Sequence, residues 1–130
     1  MEAPGIVEWF AQTIDCDDAE AMARFYVGAL GGRLTRRHEN GGTSVEAGGL
    51  PFNFRVVPDY RPPTWPSAEI PMQSHFELIV EDLDTARAAM VELGATVAVQ
   101  PEPVDPHLTI MLDPAGHPFC LIRSAAATRF

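Results

Sequence analysis

The chain contains no lysine, and all nine of its basic residues are arginine. Without an ε-amine it has neither Schiff-base nor lysine-nucleophile chemistry, and no Walker-type phosphate loop. Cysteine is scarce as well. Cys16 and Cys120 are the only two, and no Cys-x-x-Cys spacing occurs, so neither a disulfide framework nor a zinc site is expected and a reducing cytoplasm is the simplest compartment. No apolar run approaches the roughly 20 residues a membrane-crossing helix needs, so no membrane partner is expected. The opening stretch "MEAPGIVEWF" has no positive charge before its apolar residues, unlike a secretory signal. The arginines form no stripe, and a formal net charge of −9 repels a phosphate backbone, so nucleic acid is not an expected partner.

What is present is a repeat. Two segments have helical spacing: about Asp18 to Leu30, with Met22, Phe25, Tyr26 and Ala29 on one side, and about Leu83 to Leu93, with Leu83, Ala86, Met90 and Leu93. Asp17 with Glu20 reads as a capping box for the first, and Asp82 caps the second. Both close on Leu-Gly, so Gly31 and Gly94 are expected to take the left-handed conformation that ends a helix. A strand precedes each helix ("FAQTIDC", "SHFELIV") and three follow each ("RLTRRHE", "GTSVEA", "FNFRVVP"; "ATVAVQ", "HLTIML", "FCLIR"). The last strands share Gly-x-Pro-Phe, in "GLPFNF" at 49–54 and "GHPFCL" at 116–121. An internal duplication accounts for all of this. Module one covers about residues 6–58 and module two about 73–123. Between them lies a proline-rich, semi-rigid linker, 59–72. Each half is too small to bury a good core alone, so 1–130 is one α+β domain.

Paired strand-helix-strand-strand-strand modules, with the stretches "ARFYVGALGG", "YRPPTWP", "HFELIVEDLDTARAAMVELGA" and "DPAGHPFCLIR", resemble the vicinal oxygen chelate superfamily. That superfamily includes glyoxalase I, extradiol dioxygenases, and fosfomycin and bleomycin resistance proteins, and these stretches look like the glyoxalase-like proteins common in actinobacteria. The resemblance implies two βαβββ modules forming a cup-shaped partial barrel. It also implies a divalent metal held by His, Gln or Glu on the first and last strands of each module. Carried over position by position, the four ligand sites fall on Ala11, Asn53, His75 and Cys120. Only His75 suits Mg²⁺, Mn²⁺ or Fe²⁺, because Ala has no donor, Asn is neutral and Cys binds as a thiolate. No cofactor is therefore favoured. If a metal is present, His75 is its expected ligand.

Side-chain alternation puts Ile14 and Cys16 on the helix side of the first strand and Asp15 on the cup side, with His75, Glu77 and Ile79 facing the cup in the second module. His75 is the leading catalytic candidate, as hydrogen-bonding group or general base, with Glu77 or Asp15 orienting it. A structural histidine bonded to Glu77 is the alternative. Asn53, Arg55 (as a fork for an anion) and Trp65 complete the ligand-binding candidates. Cys120 reads as cavity lining or, given a thiolate-stabilising partner, a nucleophile. His38 is expected to be solvated, and His117 to be a turn residue. The function implied is binding of a small organic molecule in the cup, with sequestration or metal-independent transformation. The alternative is a metal-dependent lyase, isomerase or dioxygenase. Whether reaction accompanies binding is open, and a homodimer is compatible with the linker.

Overall fold

Strict alternation of buried and less buried residues along "QTIDC" makes β1, Gln12–Cys16, with Ile14 and Cys16 inward. The computed structural model describes residues 4, 5 and 8–129. The expected start of module one, residue 6, lies outside the described residues. After β1 come α1 (Ala19–Leu30), β2 (Gly32–Arg37), β3 (Thr43–Ala47) and β4 (Leu50–Val56). The second half repeats the order: β5 (Phe76–Val80), α2 (Leu83–Glu92), β6 (Thr96–Val97), β7 (Leu108–Leu112) and β8 (Pro118–Arg123), followed by a 3-10 helix, Ser124–Arg129. The strands form two four-stranded sheets, ordered β1-β4-β3-β2 and β5-β8-β7-β6. In each, the first strand runs parallel to the last and the remaining pairs are antiparallel. The result is an α+β fold of two βαβββ modules with no closed barrel. No helix among the described residues is long and apolar enough to cross a membrane.

Helix ends follow the local chemistry with one change. Asp18, not Asp17, caps α1: its backbone is extended and its carboxylate accepts from the Ala21 amide at 3.0 Å. Glu20, expected to complete a capping box, is drawn away by Arg37 at 2.6 Å. Asp82 caps α2 through the Thr85 amide. Gly31 and Gly94 both have positive φ, 74° and 115°, and the Gly31 amide donates to Val27 at 2.9 Å, closing α1.

One core joins the halves. Tyr26 on α1 lies against Phe52 and Phe54 of the first sheet and Phe76 of the second, with ring centroids 5.3–6.1 Å apart. Phe25 meets Phe119 at 5.7 Å. The phenylalanines of the two Gly-x-Pro-Phe motifs, Phe52 and Phe119, are both buried there. They pair with Gln12 and Phe76, the matched residues of the two first strands. That register makes Ala11 the counterpart of His75, and Asn53 the counterpart of Cys120.

The two concave faces differ. On the first sheet, Asp15, Arg55, Ser44 and Asn53 form an uncovered polar wall. On the second, Ile110, Cys120 and Ile122 are buried beneath Trp65 from the linker and Ala127 from the 3-10 helix.

Candidate functional site

The cavity that joins the modules has a volume of about 840 Å³ and lies along the seam between β1 and the start of β5. β1 and β4 supply Gln12, Thr13, Asp15 and Arg55 to its wall, and the turn before β8 supplies His117. The linker roofs it, first with Asp59, Tyr60 and Arg61, then with Ile70 to Ser74 leading into His75. The linker is shaped for this. Thr64 and Ile70 tie its middle together through backbone and hydroxyl hydrogen bonds, and the roof turns at Asp59 and Gln73, the two non-glycine residues with positive φ among those described.

A polar hub holds the seam closed. The carbonyl of Asp15 can only accept, so His117 donates Nε2–H to it at 2.7 Å. Tyr60 donates its hydroxyl to the Ala115 carbonyl at 2.7 Å and lies 3.2 Å from the same His117 nitrogen. Burial, reinforced by the charge of Asp113, holds the Tyr60 phenol well above its ordinary value, so it stays a neutral donor. His117 is therefore more than a turn residue, since it pins module two to β1. Beneath it, buried Asp113 accepts from the Tyr26 hydroxyl and from the Ala115 and His117 amides.

The residues read from sequence as one site are divided by the structure. Asp15, Arg55 and His75 line the seam cavity, whereas Asn53, Trp65, Glu77 and Cys120 do not. Arg55 is a closed fork on Asp15, at 2.9 and 3.1 Å, and those hydrogen bonds push its already high proton affinity higher. His75 stands one residue before β5 instead of opening it, and its Nε2 is 3.5 Å from a Glu77 oxygen. Asn53 accepts from the Ser44 hydroxyl at 2.6 Å, and Ser44 also meets His38 Nε2 at 2.8 Å. His38 is thus tied into the first sheet instead of being free in solvent. Trp65 covers the second wall and not the seam.

Cys120 is 7% exposed. Burial, then the charge of Glu77, pushes its thiol up to about 11. Cys16, fully buried and surrounded by aspartates, is likewise pushed up to about 11, mainly by burial. Burial favours the protonated thiol at both positions, and Cys120 is packed into the second wall beneath Trp65. Iodoacetamide at about pH 8 is expected to leave both thiols of the folded protein intact while the denatured chain reacts fully, as mass spectrometry would read. Fast labelling of Cys120 would show that the Trp65 cover opens freely.

The residues present do not fit the metal that the fold family implies. Ala11 brings no donor atom, the Asn53 oxygen already accepts from Ser44, and Cys120 is packed in the wall beneath Trp65 and Ala127. Among the described residues, no three His, Cys, Asp or Glu side chains converge as ligands.

The sequence matches the model of the glyoxalase-like domain over residues 11–122. The chain belongs to this family, within the vicinal oxygen chelate superfamily. Solved structures share its fold. The fosfomycin resistance protein FosX from Mesorhizobium loti is 17% identical, with a TM-score of 0.65 over 95% of this chain and 98% of that one. A glyoxalase family protein from Enterococcus faecalis is 22% identical, with a TM-score of 0.62 over 89% and 97%. A mutant FosX from Listeria monocytogenes, complexed with manganese(II) and a dihydroxypropylphosphonic acid, is 14% identical, with a TM-score of 0.66 over 90% of each chain. No curated protein matches the sequence.

Sequence reasoning missed the roof. Tyr60, Gln73 and His117 lie in segments with no period, and only the Gly-x-Pro-Phe repeat carried a usable signal. Its variable position is Leu50 in one half and His117 in the other, a polar exchange beside a shared core phenylalanine.

Proposed function

We propose that this glyoxalase-like protein binds a small, partly apolar organic molecule in the seam cavity and does so without a resident metal, either sequestering it or transforming it through its own side chains. The observation that carries this reading is the pairing of a cavity large enough for a small organic ligand, about 840 Å³, with a donor set unsuited to a divalent ion. Pockets of several hundred Å³ with mixed apolar and polar lining are the usual sites for small ligands. Val57, Ile70 and Met72 offer apolar surface, and Thr13, Gln73 and Ser74 offer neutral hydrogen-bonding groups. His117 and Tyr60 are occupied in holding the seam. His75 is the imidazole available to a ligand, with Glu77 to orient it, and any proton transfer would run through it.

The rival reading, a metal-dependent enzyme, has in its favour the fold shared with the manganese-bound Listeria protein. Elemental analysis after expression in metal-supplemented medium separates the two. The expected result is no stoichiometric divalent ion. One Mn, Fe, Ni or Zn per chain, lost in His75→Ala, would sink the metal-free reading. The ligand side is tested by thermal-shift screening of small organic molecules against wild type and His75→Ala. Hits stabilise wild type by several degrees and the variant by less.

A further inference from the structure

Resting on the binding role proposed above, we infer that the seam cavity takes a cationic amphiphile, a protonated amine on an apolar skeleton, and discriminates against carboxylates, phosphates and other anions. The argument is one of charge already spent. The cavity wall contains two arginines, and both are neutralised within the fold. Arg55 closes its fork on Asp15 at 2.9 and 3.1 Å, and Arg61 meets Glu69 at 3.1 Å. An anion entering the cavity would have to share a guanidinium already held by a carboxylate, whose negative charge opposes it.

Negative charge is not balanced in the same way. Asp59, at the end of the roof, lines the cavity, is exposed, and makes no hydrogen bond or ion pair among the described residues. Its φ of 55° belongs to a turn that holds it at the cavity rim. Glu77 stands behind His75. The lining itself sets Asp15 and Asp59 against Arg55 and Arg61, and Glu69 on Arg61 and Glu77 beside His75 add two further carboxylates next to it. The whole chain repeats that imbalance at −9, so the long-range field also favours a cation. Apolar surface from Val57, Ile70 and Met72 would take up the remainder of such a molecule.

The test uses three probes on one skeleton: phenethylamine, phenethyl alcohol and phenylacetate. Each is titrated into the labelled full chain, with the amide shifts of Thr13, Asp15, Val57, Ser74 and Phe76 followed by NMR. The amine should bind most tightly and phenylacetate most weakly, the two differing by about ten-fold or more, the factor that corresponds to about 1.4 kcal/mol. Asp59→Asn should shrink the amine's advantage by about three-fold, as expected for removal of one partly screened charge. Asp15→Asn should release Arg55 and tighten phenylacetate binding by about ten-fold. Phenylacetate binding to wild type as tightly as the amine overturns the inference while leaving the binding role intact. If none of the three probes moves these amides at millimolar concentration, the cavity is no ligand site and both readings fall.

Discussion

Replacing Asp113 by alanine is expected to destabilise the protein by about 4 kcal/mol. Three donors depend on this one buried carboxylate: the Tyr26 hydroxyl at 2.7 Å, the Ala115 amide at 2.9 Å and the His117 amide at 3.0 Å. Each buried donor left without an acceptor costs about 1–3 kcal/mol, with some relief where water can enter. The melting temperature should fall by roughly 15 °C for a domain of this size. A loss below about 1 kcal/mol would mean that solvent replaces the side chain and that the turn is not anchored by it. Asp113→Asn is the informative comparison, because the amide keeps the shape and most of the bonds. Burial pushes the Asp113 carboxyl up, against the lowering effect of the Tyr26 hydrogen bond. A carboxyl raised in the folded state contributes its stabilisation fully below the ordinary aspartate value of about 3.9, and loses it as pH rises through the folded value. Wild type should therefore lose stability relative to Asp113→Asn as pH climbs from about 4, in urea titrations at each pH.

The second large effect is expected at Gly32. A Cβ built there would lie 1.9 Å from the Glu46 carbonyl oxygen and 3.1 Å from the Ala47 Cα. Both contacts are backbone and neither can swing aside. Gly32 opens β2 opposite Ala47, so Gly32→Ala must force the β2–β3 pairing apart at its first rung. The expected cost is about 3 kcal/mol or more, at the upper end of overpacking effects. Gly31→Ala is the control. Its φ is 74° and its ψ 138°, and nothing lies within 4 Å of its added Cβ, so only the glycine-favouring backbone is penalised, about 1–3 kcal/mol. Gly32 also has positive φ, 151°, so both variants strain the backbone and only Gly32→Ala adds the steric clash. Equal melting temperatures for the two variants would show that the β2 edge yields without cost.

The regular elements were legible because local chemistry and tertiary demand coincide in them. Ile14 and Cys16 alternate with Thr13 and Asp15, and the face they choose is the buried one. The paired Gly-x-Pro-Phe motifs located the final strands, since each motif's phenylalanine is a core residue beside the first strand of its own module. Legibility failed where a partner distant in sequence decides the outcome. Glu20 has the right spacing for a capping box, but Arg37 from β2 takes it. Trp65 stands in a stretch without period, so nothing local indicates that it covers Ile110 and Cys120. For the site, alternation identified the side of the strand on which Asp15, Arg55 and His75 stand. It could not show that the linker moves the cavity to the seam, away from the wall that holds Cys120.

That unequal covering of the two concave walls has a consequence for how the halves can change. Asn53 and Cys120 stand at matched positions of a duplicated unit, but they answer to different pressures. At Asn53, polar exchanges alter a surface facing solvent and leave the core untouched. At Cys120, any bulky or charged newcomer must displace Trp65 and Ala127 before it can be accommodated. The copies are no longer interchangeable, and a chain built from two first halves would set its linker tryptophan on a wet polar sheet. Variation in what the protein recognises is thereby channelled into the first half and the roof. The second half, its hollow filled, serves as the fixed abutment against which such variation is tolerated.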